Sequence, residues 1–458
     1  MMLTSRFGLD VANFASHALA TALPADVERH ARNHIVDTIG ALVSGSRMSA
    51  GRAGQRYARM IGGAPQAGIV GTRIRAPLVE AALANGMAAH ADESDDSHQE
   101  SLTHPGCGVL PAALATAEWT DASGRDFMRA VVLGYEMTTR FARAFGADMS
   151  SKRASLASHA YGPLFGAGYA AGALMKFDAE QFAILLNYLA QEASGLTTWR
   201  LDTSHTLKSY CFAGMPASNG VKAALLVRAG FTGSGDVLDE RQRSMLECIT
   251  RYPRPEALVD GLGEQYAIAG SDIKYYSVGY PIAAPVMAVE KILALEGFPK
   301  HAIECVKLYY HRDWYAVVGD LSMMPDVNLR YCLSVTLLDG RLTFSAAHDE
   351  ARMHAADVVQ MSQRIEFLDS DSSLSYFDAR VEIEAGGKTW RAEQDKYVLG
   401  RIENPMSDAQ VREKASQLMT PVLGTASCER VIELLDNVES LTNITELIDL
   451  MCCDNNDR

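Results

Sequence analysis

The densest chemistry in this chain lies in the stretch HADESDDSHQESLTH, from His90 to His104, which runs directly into Pro105 and Gly106. Three histidines (His90, His98, His104) and five carboxylates (Asp92, Glu93, Asp95, Asp96, Glu100) fall within these fifteen residues. Imidazoles titrate near neutrality and a neighbouring carboxylate can orient them, so this composition suits general acid–base work. Two plainer readings stand beside it. The stretch could be a solvated acidic loop whose aspartates cap the next helix. Alternatively, Asp95, Asp96 and His98 could ligate a metal, although no recognised ligand spacing such as H-E-x-x-H is present, and no metal is expected.

Three residues elsewhere have the right chemistry to join such a stretch. Lys208, in SHTLKSYCFAG, lies between small and apolar segments, and Lys274, in SDIKYYSVGYP, lies where the composition of the chain changes. A lysine in such a place can hold a substrate carboxylate as a point charge, the ordinary alternative being a surface lysine with a buried stem. His159, in SHAYGPLFGAG, opens a glycine-rich helix. The positive end of a helix disfavours an imidazolium, which suits a neutral base or hydrogen-bond donor, or simply a packed side chain. The run Gly166-Ala-Gly168-Tyr-Ala-Ala-Gly172 lacks both the dinucleotide-binding spacing and a preceding strand. Neither a Walker A loop nor a G-x-S-x-G elbow is present, which removes phosphoryl transfer and α/β-hydrolase chemistry.

The elements that must position these groups are mostly helices. Pro24, Ala25 and Asp26 open one in which Ile35, Ile39, Leu42 and Val43 recur at helical spacing, and Gly45 stops it. Alanine-rich helices follow at PLVEAALANGMAAHA, VLPAALATAEW, GRDFMRAVVLGYEMTTRFARAF, GPLFGAGYAAGALM and NGVKAALLVRAGF. Small residues on facing helices allow close backbone approach, as in a multi-helix bundle. Near residue 270 the character changes. KLYYHRDW and YCLSVTLLDG have strand-like composition, and FDARVEIE, Gly386-Gly387 and KTWRAEQ read as a β-hairpin. Helical patterns return at DAQVREKASQLM and ERVIELLDNVESLTNITELIDLM. The expected fold is mainly α: an all-helical domain over 1–268, a smaller α+β domain over 269–400, and C-terminal helices over 401–458 that rejoin the first.

Composition narrows the partners. The chain has 458 residues, a net charge of −14 and 48% apolar residues, enough to bury two or three cores. An acidic surface repels nucleic acid and anionic lipid, so neither is expected as a partner, and an acidic substrate must be met by local cations. The longest apolar run, Pro163 to Met175, is too short to span a bilayer, and the N-terminus has no basic segment leading into an apolar one. Eight scattered cysteines without a C-x-x-C pair suit a reducing compartment, so a soluble cytoplasmic protein is expected.

Several segments in combination resemble the MmgE/PrpD family, which includes 2-methylcitrate dehydratase, cis-aconitate decarboxylase and iminodisuccinate epimerase. They are IVDTIGALVSG, NGMAAHADESDDSHQESLTHPGCGVLPAALATAE, GRDFMRAVVLGYEMTTR, SHAYGPLFGAGYAAGALMKFDAEQFAILLNYLAQEASGL, LKSYCFAGMPASNGVKAALLVRAGFTG and SDIKYYSVGYPIAAPVMAVEKI. The resemblance implies a homodimer without cofactor or metal that acts on a small di- or tricarboxylate. It carries site roles onto Glu93, Asp96, Ser97, His104, His159, Lys208 and Lys274. His104 and His159 would transfer protons, the lysines would hold carboxylates, and Glu93, Asp96 and Ser97 would bind or orient. Tyr161, two residues past His159, is a third candidate proton carrier. Two departures bear on the reaction: Glu93 stands where the family commonly has Asp, and the YYSVGY stretch after Lys274 lacks a histidine found in decarboxylase-like members. The expected activity is a cofactor-independent lyase of dehydratase or decarboxylase type. The alternatives are an epimerase of an aminosuccinate-type acid and an inactive carboxylate-binding relative.

Overall fold

The computed structural model describes residues 5–146, 156–239, 244–319, 324–370, 373–375 and 377–452. They form two compact units. The first takes in the described residues within 1–91, 95–273 and 407–458; the second those within 92–94 and 274–406.

The first unit is helical. Pro24 precedes the Ala25–Gly45 helix, and Asp26 and Glu28 in its first turn complement the helix dipole. From Asn33 to Gly45 every residue is buried, which marks a helix enclosed on all sides rather than an amphipathic surface helix. The Leu78–Ala89, Pro105–Trp119, Gly124–Ala144, Ser158–Leu174 and Met215–Arg228 helices are assembled with it. Their alanines and glycines set how close they come. A Cβ on Gly166 would stand 2.4 Å from the Gly134 carbonyl and 2.0 Å from Thr138 Oγ1, so only glycine lets the Ser158–Leu174 and Gly124–Ala144 helices touch there. No described helix is long and apolar enough to cross a membrane, and no disulfide joins the described cysteines.

The C-terminal segment returns to this unit. Ser407 and Gln410 form a reciprocal capping box that starts the Asp408–Leu423 helix, which lies on the Ala25–Gly45 helix with Gly40 against Ala415. The continuous helical pattern expected after Glu429 is broken. One helix ends at Asp436, Asn437 bonds back to the Glu433 carbonyl, and a second begins only at Thr445. The break lets Leu441 accept a hydrogen bond from the Gly124 N–H at the start of another helix.

The second unit is α+β. Its four-stranded sheet runs in the order Ile365–Asp369, Ile303–Tyr310, Ala379–Ala385, Lys388–Gln394; the first pair is parallel and the others antiparallel. The hairpin expected at Gly386-Gly387 is present, with both glycines at positive φ. Val306 and Leu308 pair with Ile383 and Val381 and share a core with Val286, Val289 and Ile292 of the Ala283–Leu293 helix. YCLSVTLLDG, expected as a strand, belongs instead to the Leu329–Asp339 helix. Asn328 caps its start and Gly340, at φ +88°, closes its end. Its apolar residues are buried almost all round, and a short fully buried helix shows no periodicity to separate it from a strand. Likewise HRDW leaves the strand at Tyr310 and enters the Arg312–Val318 helix.

One buried ion pair ties the C-terminal helices to the first unit: Lys414 Nζ lies 2.7 Å from Asp37 Oδ1. Burial, opposed by Lys414 and reinforced by Asp96, pushes the Asp37 carboxyl up to about 6. Lys414→Met would leave Asp37 uncompensated and should cost about 3–5 kcal/mol at pH 8. Without the lysine the Asp37 carboxyl is pushed further up, and protonation relieves a buried carboxylate, so the deficit should shrink as pH falls towards about 6 and be small at pH 5. Urea unfolding of both proteins at pH 5 and 8 checks this; a pH-independent deficit contradicts it.

Candidate active site

The loop between the Leu78–Ala89 and Pro105–Trp119 helices is not a solvated acidic loop. From His90 to His104 only Gln99, Glu100 and Leu102 are not buried. Burying carboxylates is unfavourable unless each is compensated, and the partners show how this is done here. Asp95 faces two imidazoles: His90 Nδ1 lies 2.9 Å from both carboxylate oxygens and His104 Nδ1 lies 3.3 Å from Oδ2. Asp96 accepts from the Gly106 N–H at 2.9 Å, His34 Nδ1 at 2.7 Å and, by a short contact, the Tyr135 hydroxyl. In the second unit, Lys274 Nζ lies 3.1 Å from Glu93 Oε2 and 3.0 Å from the Glu93 carbonyl. Glu93 has φ +56°, a left-handed conformation that costs energy for a side chain with a Cβ.

His104 caps the Pro105–Trp119 helix, and its Nδ1 lies 2.6 Å from the Asp96 carbonyl oxygen. A carbonyl oxygen can only accept, so Nδ1 carries the proton and the lone pair of the neutral ring lies on Nε2. His104 and His159 ring centroids are 5.5 Å apart. His159 stacks on Phe212 at 4.5 Å, and His90 stacks on the same ring at 4.5 Å. Burial first, then the charges of His104, Lys208, His90 and Arg200, hold His159 well below the usual imidazole range.

Phe212 sits in a π-helical turn, Tyr210–Gly214, between the short Thr206–Ser209 helix and the Met215–Arg228 helix. Such turns are frequent at functional sites because the extra residue re-aims the side chains. Lys208, four residues earlier, is buried with its Nζ 5.5 Å from the Phe212 ring and 5.6 Å from the Trp199 ring. Two aromatic faces suit an ammonium withdrawn from water.

The structure therefore gathers His104, His159 and Lys208, and adds Asp95, His90, Phe212 and Trp199, to which the residue reading gave no such place. Lys208 and Phe212 stand four apart, a helix-face spacing that could have paired them. Asp96 does not turn its carboxylate to His104. It fixes the loop from behind, and its backbone carbonyl orients the ring. Glu93 pairs with Lys274 rather than with an imidazole. Ser97 forms a two-sided backbone bridge with Asp272, at 3.0 and 2.7 Å. Tyr161 is turned away from His159: two residues rotate a helix by about 200°, and its ring packs edge-on to Phe145. His98 bonds to Ser101, and burial pushes it down to about 4. For a metal, the set that converges among the described residues is His90, Asp95 and Cys107, with ligand atoms within 4.8 Å of one another, not Asp95, Asp96 and His98.

These features define a two-unit, mainly helical protein with an acid–base cluster buried among aromatic rings. The model of the MmgE/PrpD N-terminal domain matches residues 9–257 and that of the MmgE/PrpD C-terminal domain residues 276–440. The chain belongs to the MmgE/PrpD family. It is 24% identical to cis-aconitate decarboxylase of Aspergillus terreus, over 97% of this chain and 95% of that one. It is 24% identical to a cis-aconitate decarboxylase-like protein of Aspergillus oryzae, over 96% of each. The human cis-aconitate decarboxylase is 23% identical over 93% of this chain and 90% of its own length.

Because burial and neighbouring cations hold His159 neutral, its ring carbon-bound protons should show no titration step between pH 6 and 8 by NMR. Lys208→Met removes one of those cations and should move the His159 titration upward. An inflection near 6.5 in the unaltered protein contradicts the assignment.

Proposed function

We propose that this chain is a lyase acting on a small di- or tricarboxylate by proton transfer at a carbon next to a carboxylate, in a reaction of decarboxylase or dehydratase type. The observation that carries this reading is the arrangement at His104. Its Nδ1–H is committed to a carbonyl oxygen, its Nε2 is left as the basic atom, and a neutral histidine and a buried lysine stand beside it. The activity named for the relatives supports the lyase class.

A C–H next to a carboxylate is weakly acidic, so its removal needs a positioned base and a cation for the charge that develops. In the dehydratase direction, His104 Nε2 takes the proton. The electron pair of the broken C–H bond moves into the carboxylate as an enediolate, which Lys208 stabilises. Expulsion of a β-hydroxyl then forms the double bond, and the His104 imidazolium returns its proton to the departing oxygen. In the decarboxylase direction, the C–C electrons released with carbon dioxide are taken up as a new C–H bond, with His104 supplying the proton. Asp95 faces the imidazolium, which the dehydratase direction forms and which the decarboxylase direction requires at its start, with a proton on Nε2 to give. Each step uses only groups that move protons or hold charge, and this chain supplies them itself.

Proton NMR in D₂O with citrate-, methylcitrate-, aconitate- and aminosuccinate-type acids tests the reading. Vinyl signals gained or lost, or carbon dioxide released, are expected. Loss of the α-proton alone, with the skeleton unchanged, would assign an epimerase instead. His104→Ala should lower turnover about 10²- to 10⁴-fold while the variant remains folded by circular dichroism. Full turnover in that variant would remove His104 from the mechanism.

A further inference from the structure

Trp199 lies on the Thr197–Leu201 3₁₀ turn, none of whose residues is fully buried and whose neighbours Leu196, Thr198, Arg200 and Leu201 are exposed. Its indole is the side chain of this turn that packs inward, edge-on to Phe212 at 4.8 Å and to His159 at 5.8 Å, with the Lys208 ammonium 5.6 Å from its ring. The indole Nε1 is buried and has no hydrogen-bond partner among the described residues. Indole nitrogen can only donate, and native proteins seldom leave a buried donor unmatched.

The surroundings say which acceptor would match it. Lys208 and the His159 imidazole are its neighbours, and the Arg200 guanidinium carbon lies 5.5 Å from the indole ring. In a chain of net charge −14 the Lys208 ammonium and the Arg200 guanidinium beside one indole are two cationic groups suited to an anionic oxygen. Lys208 alone supplies a point charge without direction, whereas an indole N–H supplies direction.

Resting on the carboxylate reading above, we propose that Trp199 Nε1 is a substrate-binding donor: it hydrogen-bonds a carboxylate oxygen of the substrate whose charge Lys208 balances. Trp199 is then a binding and specificity residue rather than packing alone. The backbone is suited to aim it. Gly195, at φ +117°, and His205, at φ +58°, flank the segment. The Ala157 N–H donates to the Gly195 carbonyl at one end, and the Lys208 N–H donates to the Asp202 carboxylate at the other.

The test uses the full chain labelled with ¹⁵N and titrated with citrate and with succinate, reading the indole N–H signals of Trp119, Trp199, Trp314 and Trp390. Trp199 is assigned by Trp199→Phe, which keeps an aromatic ring and removes the donor. On addition of acid the Trp199 signal should move downfield while the other three stay in place. Trp199→Phe should weaken binding tenfold or more and raise KM by a similar factor, with kcat changed less than about threefold. Lys208→Met serves as a second variant. If the acids bind, Lys208→Met abolishes binding and Trp199→Phe does not weaken it, the Trp199 proposal is overturned and the carboxylate site stands. If neither acid binds and no acid is turned over, both readings fall together.

Discussion

The buried carboxylate of Asp96 is the constraint on which the histidine cluster depends. It has no access to water, so its charge must be met by protein donors, and the three that meet it come from three different helices: His34, Tyr135 and the Gly106 backbone. Together they fix where the loop from His90 to His104 can lie. Removing one partner from such a network leaves a buried charge partly unmatched, which costs more than the bond itself contributes. A Cβ on Gly106 would stand 2.5 Å from Thr38 Oγ1, 2.7 Å from the Tyr135 hydroxyl and 2.8 Å from Asp96 Oδ1. Glycine is therefore required by the same network that orients His104.

The imidazoles in this cluster are distinguished by their surroundings, not by their type. His104 is bonded through Nδ1 to a carbonyl oxygen and has a carboxylate at 3.3 Å, so a cation formed on it is compensated. His159 is enclosed by an aromatic ring and cationic neighbours, and stays neutral. Two groups of one kind thereby take different roles. Lys208 lies against aromatic rings rather than in water, which raises the value of an anionic partner to it. The Glu93 carboxylate lies 3.1 Å from the Lys274 ammonium, so in the second unit that lysine has a counter-charge.

Much was legible from the residues in order. The helical first part, the hairpin at Gly386-Gly387 and the C-terminal helices follow from periodicity and turn chemistry. The loop of His90 to His104 stood out by charge density, and its burial resolved whether it was solvated. Two elements misled. Tyr331–Gly340 has β-branched and aromatic residues but lies in a buried helix, where packing outweighs propensity and only the caps at Asn328 and Gly340 mark the type. Tyr161 stood close to His159 in sequence, yet two residues along a helix point to opposite sides, and it joins the apolar core against Phe145.

What the sequence determined by itself was which side chains are present, which of them sit on helices, and the family to which the chain belongs. What only the tertiary structure decided was pairing. Asp95 and Asp96 are adjacent and identical in type, yet one faces His104 and the other Tyr135, because successive side chains in an irregular loop point to different partners. His34, Tyr135, Lys208, Trp199 and Phe212 lie far apart along the chain from the loop they support or adjoin. Their roles come from the close approach of helices that small residues permit. No spacing in one dimension encodes which buried donor is left for a ligand, since that depends on every other donor having already found its acceptor.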